Sequence, residues 1–165
     1  TEAVAEILQQ SNTFMDYDSL DEKTRIELLS DLIQHQCEGI KFDSTQLNES
    51  NKETLEVFNV IEKMHDEISP RAFGEYVISM THEASHILEV LLLATLVGLT
   101  GRDDDAGSNA SSEDQWFCKI RISPLFETIE DLNHIETVLA KLFDDKTYRM
   151  LLKSSGNMQE VMLGY

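Results

Sequence analysis

Two histidines and a glutamate stand at a spacing that could hold a metal: His82-Glu83-Ala84-Ser85-His86. On a continuous helix, imidazoles at i and i+4 share one face and can bind one zinc ion, and the Glu between them can activate its water for hydrolysis. The neighbourhood argues against that use. Tyr76-Val77-Ile78-Ser79-Met80 is short and β-prone, and an apolar helix begins near Ala84. The motif therefore straddles a strand end and a helix start, with His82 outside the helix. Leu92 also stands where a more distant third histidine ligand would fall. His86 then reads as a polar first-turn residue and His82 as a loop residue. Zinc hydrolysis through His82, Glu83 and His86 is the lesser alternative.

The stretch from Thr100 to Gln115 is rich in Gly, Ser and Asp and reads as a flexible acidic loop. Counted from Asp103, Gly107 occupies the third ligand position of a calcium loop and no Glu closes the twelfth, so calcium is not expected. His35, His65 and His134 have no clustered partners and read as surface or helix-end residues. Glu127, taken alone, is an acid at a helix N-terminus, just before Thr128.

These residues must be carried by a compact soluble unit. The chain has 165 residues, 41% of them hydrophobic and 27% charged, enough to bury a core. Its net charge of -18 repels phosphate backbones and anionic lipid, so neither nucleic acid nor a membrane surface is an expected partner. Two cysteines, Cys37 and Cys118, are too few for a disulfide framework and read as small buried or half-buried residues in a reducing compartment. Thr1-Glu2-Ala3 lacks the basic start of a signal peptide, and the apolar run Ile87 to Val97 is shorter than the roughly 20 residues of a membrane span.

Residues 1–70 read as helical. Ala3, Val4, Ile7 and Leu8 have helical spacing. Ser19-Leu20-Asp21-Glu22 reads as a capping box before a helix from about Asp21 to Gln36, which buries Ile26, Leu29, Leu32 and Ile33 and ends at Gly39. Ser50-Asn51-Lys52-Glu53 reads as a second box before the stripe Leu55, Phe58, Ile61, Met64. Residues 71–165 change character. Strands are expected at 76–80, 117–126 and 159–163, with helices at about 84–99 and around Leu132 to Leu142, and a further short one at Tyr148 to Leu152. The expected class is α/β and helix-rich, with about three parallel strands. Three strands cannot close a barrel, and a chain ending on a strand suggests an arc of a larger structure.

Four blocks then match a known family in order and at the expected separations. They are Phe73-Gly74-x-Tyr76-Val77-Ile78-Ser79-Met80-Thr81; Ser85-x-x-Leu88-Glu89-Val90-Leu91-Leu92-Leu93-Ala94; Pro124-Leu125-Phe126-Glu127-Thr128-Ile129-Glu130-Asp131-Leu132; and Gln159-Glu160-Val161-Met162-Leu163-Gly164-Tyr165. Together with Thr1 to Ile7, these blocks resemble phosphoenolpyruvate carboxylase of the bacterial type.

The resemblance implies an internal fragment of a large, mostly helical enzyme built round an eight-stranded TIM-like (β/α)8 barrel, whose chemistry sits at the C-terminal strand ends. It implies carboxylation of phosphoenolpyruvate by bicarbonate to oxaloacetate and phosphate with Mg2+ or Mn2+, in a cytoplasmic homotetramer. It implies that Glu127, the Glu of Pro-Leu-Phe-Glu, is a metal ligand. The second metal carboxylate, the catalytic His and the phosphate-binding Arg residues of the family fall outside these 165 residues, so the chain alone is expected to be inactive. The resemblance also implies departures at two sites: Gln36-Cys37-Glu38 stands where the family usually has Arg-Arg-Pro, and His86 where it usually has Asp. They leave a divergent, non-catalytic binding or scaffold homologue as the runner-up.

Overall fold

The computed structural model describes residues 1–71, 73–103 and 115–164. Residues 104–114 of the acidic loop, including Gly107, and the final Tyr165 lie outside the described residues.

Three helices come first. α1 (Glu2–Gln10) buries Ala3, Val4, Ile7 and Leu8, the four residues whose spacing marks its apolar face. α2 (Glu22–Gln34) buries Leu29, Leu32 and Ile33. α3 (Glu49–Glu67) buries Leu55, Phe58 and Ile61. Neither expected capping box forms. Asp21 caps α2, its carboxylate accepting the Thr24 N–H at 2.9 Å, while the Ser19 hydroxyl turns back to the Asp16 carbonyl. Asn48 caps α3 by accepting the Asn51 N–H at 2.9 Å, which leaves Ser50 inside the first turn. Asp and Asn match or exceed Ser as caps, and each lies close enough to the serine to displace it. α2 also stops before Gly39. Its C-cap is His35, and Gln36 and Cys37 follow in the left-handed region at φ 51° and 55°, an uncommon pair of non-glycine residues there.

Three parallel strands follow: β1 (Glu75–Ile78), β4 (Arg121–Phe126) and β5 (Met162–Leu163), in the spatial order β1-β4-β5. Glu75 pairs with Arg121 and Ile78 with Pro124; Leu125 pairs with Met162 and Phe126 with Leu163. An ion pair, Arg121 Nε to Glu75 Oε1 at 2.9 Å, reinforces the first register. Parallel strands need long crossovers. α4 (Ala84–Leu96) joins β1 to β4, while α5 (Ile129–Asp144) and α6 (Lys146–Ser154) join β4 to β5.

The expected strand over 117–126 is two strands. β3 (Trp116–Cys118) pairs antiparallel with β2 (Thr100–Arg102), inside the stretch expected to be loop. The break falls at Lys119, whose N–H turns to the Leu99 carbonyl at 2.8 Å. The strand expected at 159–163 shrinks to two residues. The Gln159 side-chain amide donates to the Ile122 carbonyl at 2.8 Å, and the Tyr148 hydroxyl donates to the same amide's oxygen. A side chain thus takes the place of a backbone ladder.

α4 is the centre of the core. Ile87, Leu88, Leu91, Leu92 and Leu93 are all buried, and its principal neighbour is α2. An apolar helix covered on all sides is what a run of Leu and Val with few charges requires. Gly98, at φ 80°, turns the chain out of it toward β2. No helix among the described residues is long and apolar enough to cross a membrane.

Candidate functional site

Glu127 is the first residue past β4 and is half-buried. Its backbone is held from both sides. On one side, Thr128 is the N-cap of α5 in a reciprocal box. The Asp131 N–H donates to Thr128 Oγ1 at 3.0 Å, and the Thr128 N–H donates to Asp131 Oδ2 at 3.0 Å. On the other, the Gly164 N–H donates to the Phe126 carbonyl at 2.8 Å, bringing the residue after β5 against Glu127. A Cβ on Gly164 would lie 2.9 Å from the Glu127 Cα, so glycine is needed there for close approach. The Glu127 carboxylate itself has no hydrogen-bond or ion-pair partner among the described residues.

Asp131 has a second contact. His82 Nδ1 lies 2.5 Å from Asp131 Oδ1, and the acceptor-only carboxylate makes the ring nitrogen the donor. This hydrogen bond, then the Thr128 N–H, holds the Asp131 carboxyl down at about 2, against burial, which raises it. The Thr81 N–H also donates to the Leu125 carbonyl at 3.3 Å. The segment leaving β1 is therefore tied to the segment around Glu127 at two points.

The His-Glu-x-x-His residues are used differently from a helical pair. Glu83 is the N-cap of α4, with an extended backbone at φ -135° and ψ 157°, so His82 precedes the helix and His86 sits in its first turn. Their ring centroids are 6.0 Å apart, edge to face. His86 Nδ1 accepts the His82 backbone N–H at 3.4 Å, and Glu83 accepts from Lys141 Nζ at 3.0 Å. Burial lowers the His86 pKa, outweighing the nearby Glu89. Among the described residues, no group of three His, Cys, Asp or Glu side chains could hold a metal ion. His134, which the sequence leaves without partners, lines a groove of about 480 Å3 together with His82, Asp131 and Lys141.

Two further carboxylates support α4. Glu22 accepts the Ser85 N–H at 3.0 Å and its hydroxyl at 2.5 Å, a carboxylate set on a helix N-terminus. Glu89, 3% exposed, accepts the Tyr17 hydroxyl at 2.9 Å and the Thr1 hydroxyl at 2.8 Å. Of the residues expected to depart from the family, Gln36 accepts the Arg102 backbone N–H at 3.3 Å, and Cys37 is buried with its thiol pushed up to about 12.

Sequence reasoning singles out Glu127, His82 and His86 but neither Asp131 nor Gly164. Thr128-x-x-Asp131 is a capping pattern legible in the sequence. The role of Gly164 becomes visible only when β5 lies beside β4.

A profile of the phosphoenolpyruvate carboxylase family matches residues 1–165. The phosphoenolpyruvate carboxylase of Rhodothermus marinus is 36% identical over 163 residues, which is 99% of this chain and 17% of that protein. That of Prochlorococcus marinus subsp. pastoris is 36% identical over 169 aligned residues, covering 100% of this chain and 16% of the relative. The chain thus spans about a sixth of the curated relatives it matches. On a match running the whole length of the sequence, through the blocks that place Glu127 after β4 and Gly164 beside it, the chain belongs to the phosphoenolpyruvate carboxylase family.

Proposed function

We propose that this chain is a segment of an active phosphoenolpyruvate carboxylase and contributes Glu127 as one carboxylate ligand of its Mg2+ or Mn2+. The observation that carries the reading is the position of Glu127. It stands at the C-terminal end of a parallel strand, beside the end of the next strand, with a half-exposed carboxylate that nothing else engages among the described residues. Hard carboxylate oxygen suits either cation. The three parallel strands form an arc of a (β/α)8 barrel in this reading, and barrel chemistry gathers at those strand ends.

The chain's own part is binding and placement. Glu127 presents its oxygens, the Thr128–Asp131 box fixes the backbone after it, and Gly164 fixes the backbone beside it. A divalent cation, when bound, supplies positive charge to the enolate oxygen that develops as phosphate passes from phosphoenolpyruvate to bicarbonate. One carboxylate is too few to hold such an ion well, so the isolated chain is inactive and the other groups come from the rest of a cytoplasmic, homotetrameric parent.

The test is oxaloacetate formation by the full-length protein carrying this segment, followed by coupled NADH oxidation, with and without Glu127→Gln. Metal-dependent activity that falls at least about a hundredfold in the variant supports the reading. Equal activity and equal metal dependence in both proteins would remove Glu127 from the site. An inactive parent that still folds would favour a non-catalytic binding homologue, consistent with the changes at Gln36 to Glu38 and His86.

A further inference from the structure

We propose that His82 is a positioning residue for Glu127, acting through Asp131 and Thr128; this rests on the reading of Glu127 as a metal ligand. The Asp131 carboxylate divides its two oxygens between two tasks. Oδ2 receives the Thr128 N–H at 3.0 Å, and Oδ1 receives His82 Nδ1 at 2.5 Å. The Thr128 N–H belongs to the peptide that follows Glu127 directly. A carboxylate with one oxygen on that peptide and the other on a ring cannot rotate without breaking one of the bonds. His82 therefore sets the angle at which Asp131 grips the chain beside the ligand.

The backbone that carries the ring is itself held. The Thr81 N–H donates to the Leu125 carbonyl at 3.3 Å, the Thr81 hydroxyl to the Ile78 carbonyl at 3.2 Å, and the His82 N–H to His86 Nδ1 at 3.4 Å. Thr81 is fully buried and Asp131 is 5% exposed, while the His82 side chain is 44% exposed, so the tie joins two buried anchors through a ring at the surface. Parallel pairing of β1 with β4 brings these segments side by side, and His82 converts that proximity into a fixed distance at α5. Metal ligands work only when held within a few tenths of an ångström, and outer-shell hydrogen bonds supply that constraint.

The experiment counts Mn2+ bound to the full-length enzyme by the electron paramagnetic resonance signal of the free ion, with melting temperature measured in parallel. The variants are His82→Ala, His82→Asn and Glu127→Gln. His82→Ala should weaken Mn2+ binding about tenfold, the lower end of the range for outer-shell changes. His82→Asn, whose side-chain N–H can replace Nδ1–H, should recover most of the loss. If His82→Ala does not fold, His82→Phe, which keeps ring volume without the donor, carries the same expectation. Wild-type Mn2+ binding in the His82 variants, alongside weakened binding in Glu127→Gln, overturns the positioning role and leaves the ligand intact. Unchanged binding in Glu127→Gln overturns the ligand assignment, and the positioning role with it.

Discussion

The Gly164 α-carbon lies so close to the backbone of Glu127 that a Cβ there would sit 2.9 Å from the Glu127 Cα and 3.3 Å from the Phe126 carbonyl oxygen. Both atoms belong to the main chain and cannot swing aside. Gly164→Ala should therefore cost about 1–3 kcal/mol, as overpacking does, in a urea unfolding titration of the chain. With Glu127 a metal ligand, as proposed, it should also raise the Mg2+ concentration for half-maximal rate of the full-length protein, because Glu127 is the backbone that must move. A variant with an unchanged urea midpoint would mean that the strand ends are looser than this contact implies.

Acid should expose the bond between His82 and Asp131. The Asp131 carboxyl is lowered from 3.8 to about 2, chiefly by His82 and next by the Thr128 N–H. Between those two values the unfolded chain binds the proton and the folded chain does not, so stability from this group rises with pH across that window. It is complete above about pH 4 and lost as the pH falls toward 2. Unfolding free energies of the wild type and Asp131→Asn, taken by urea at several pH values, should differ most above pH 4 and converge toward pH 2. A constant difference would mean that Asp131 titrates normally.

Tyr17 and Glu89 form a buried pair linking α4 to the turn before α2. The Tyr17 hydroxyl donates to Glu89 Oε1 at 2.9 Å, and burial followed by the Glu89 charge pushes the phenol pKa upward. Tyr17→Phe removes one donor from a carboxylate that is 3% exposed and should cost about 1–3 kcal/mol. The loss should be smaller in a Glu89→Gln background, where no charge is stranded. A double-mutant cycle by chemical denaturation measures the coupling, and a coupling of zero would disprove the pairing.

Both thiols should resist modification. Burial pushes Cys37 up to about 12 and Cys118 up to about 11, so almost no thiolate is present near neutrality. A chromogenic disulfide reagent at pH 7.5 should label neither thiol within minutes and both once guanidinium is added. Prompt labelling of either in native protein would show a local opening that the packing does not predict.

The helix faces were legible because their information is local. Ala3, Val4, Ile7 and Leu8, or Leu55, Phe58 and Ile61, repeat at three and four residues, and burial of those residues follows from the period. The caps were less legible because several acceptors compete within a few positions. Asn48 and Asp21 prevailed over the serines near them for reasons of local geometry. Thr100–Arg102 could not be read as a strand because three residues show no alternation, and its identity depends on β3 lying opposite.

For the site, three things are legible in the sequence alone: Glu127 follows a strand, it precedes a helix, and it lies in blocks shared with the carboxylase family. Each depends on neighbours within a few residues. That His82 meets Asp131 across 49 positions, and that Gly164 meets Glu127, is visible only in the folded chain. The reason is physical. Parallel strands are joined through helices, so residues at adjacent strand ends are far apart in the chain, and their contact depends on register and strand order, which short-range pattern does not encode.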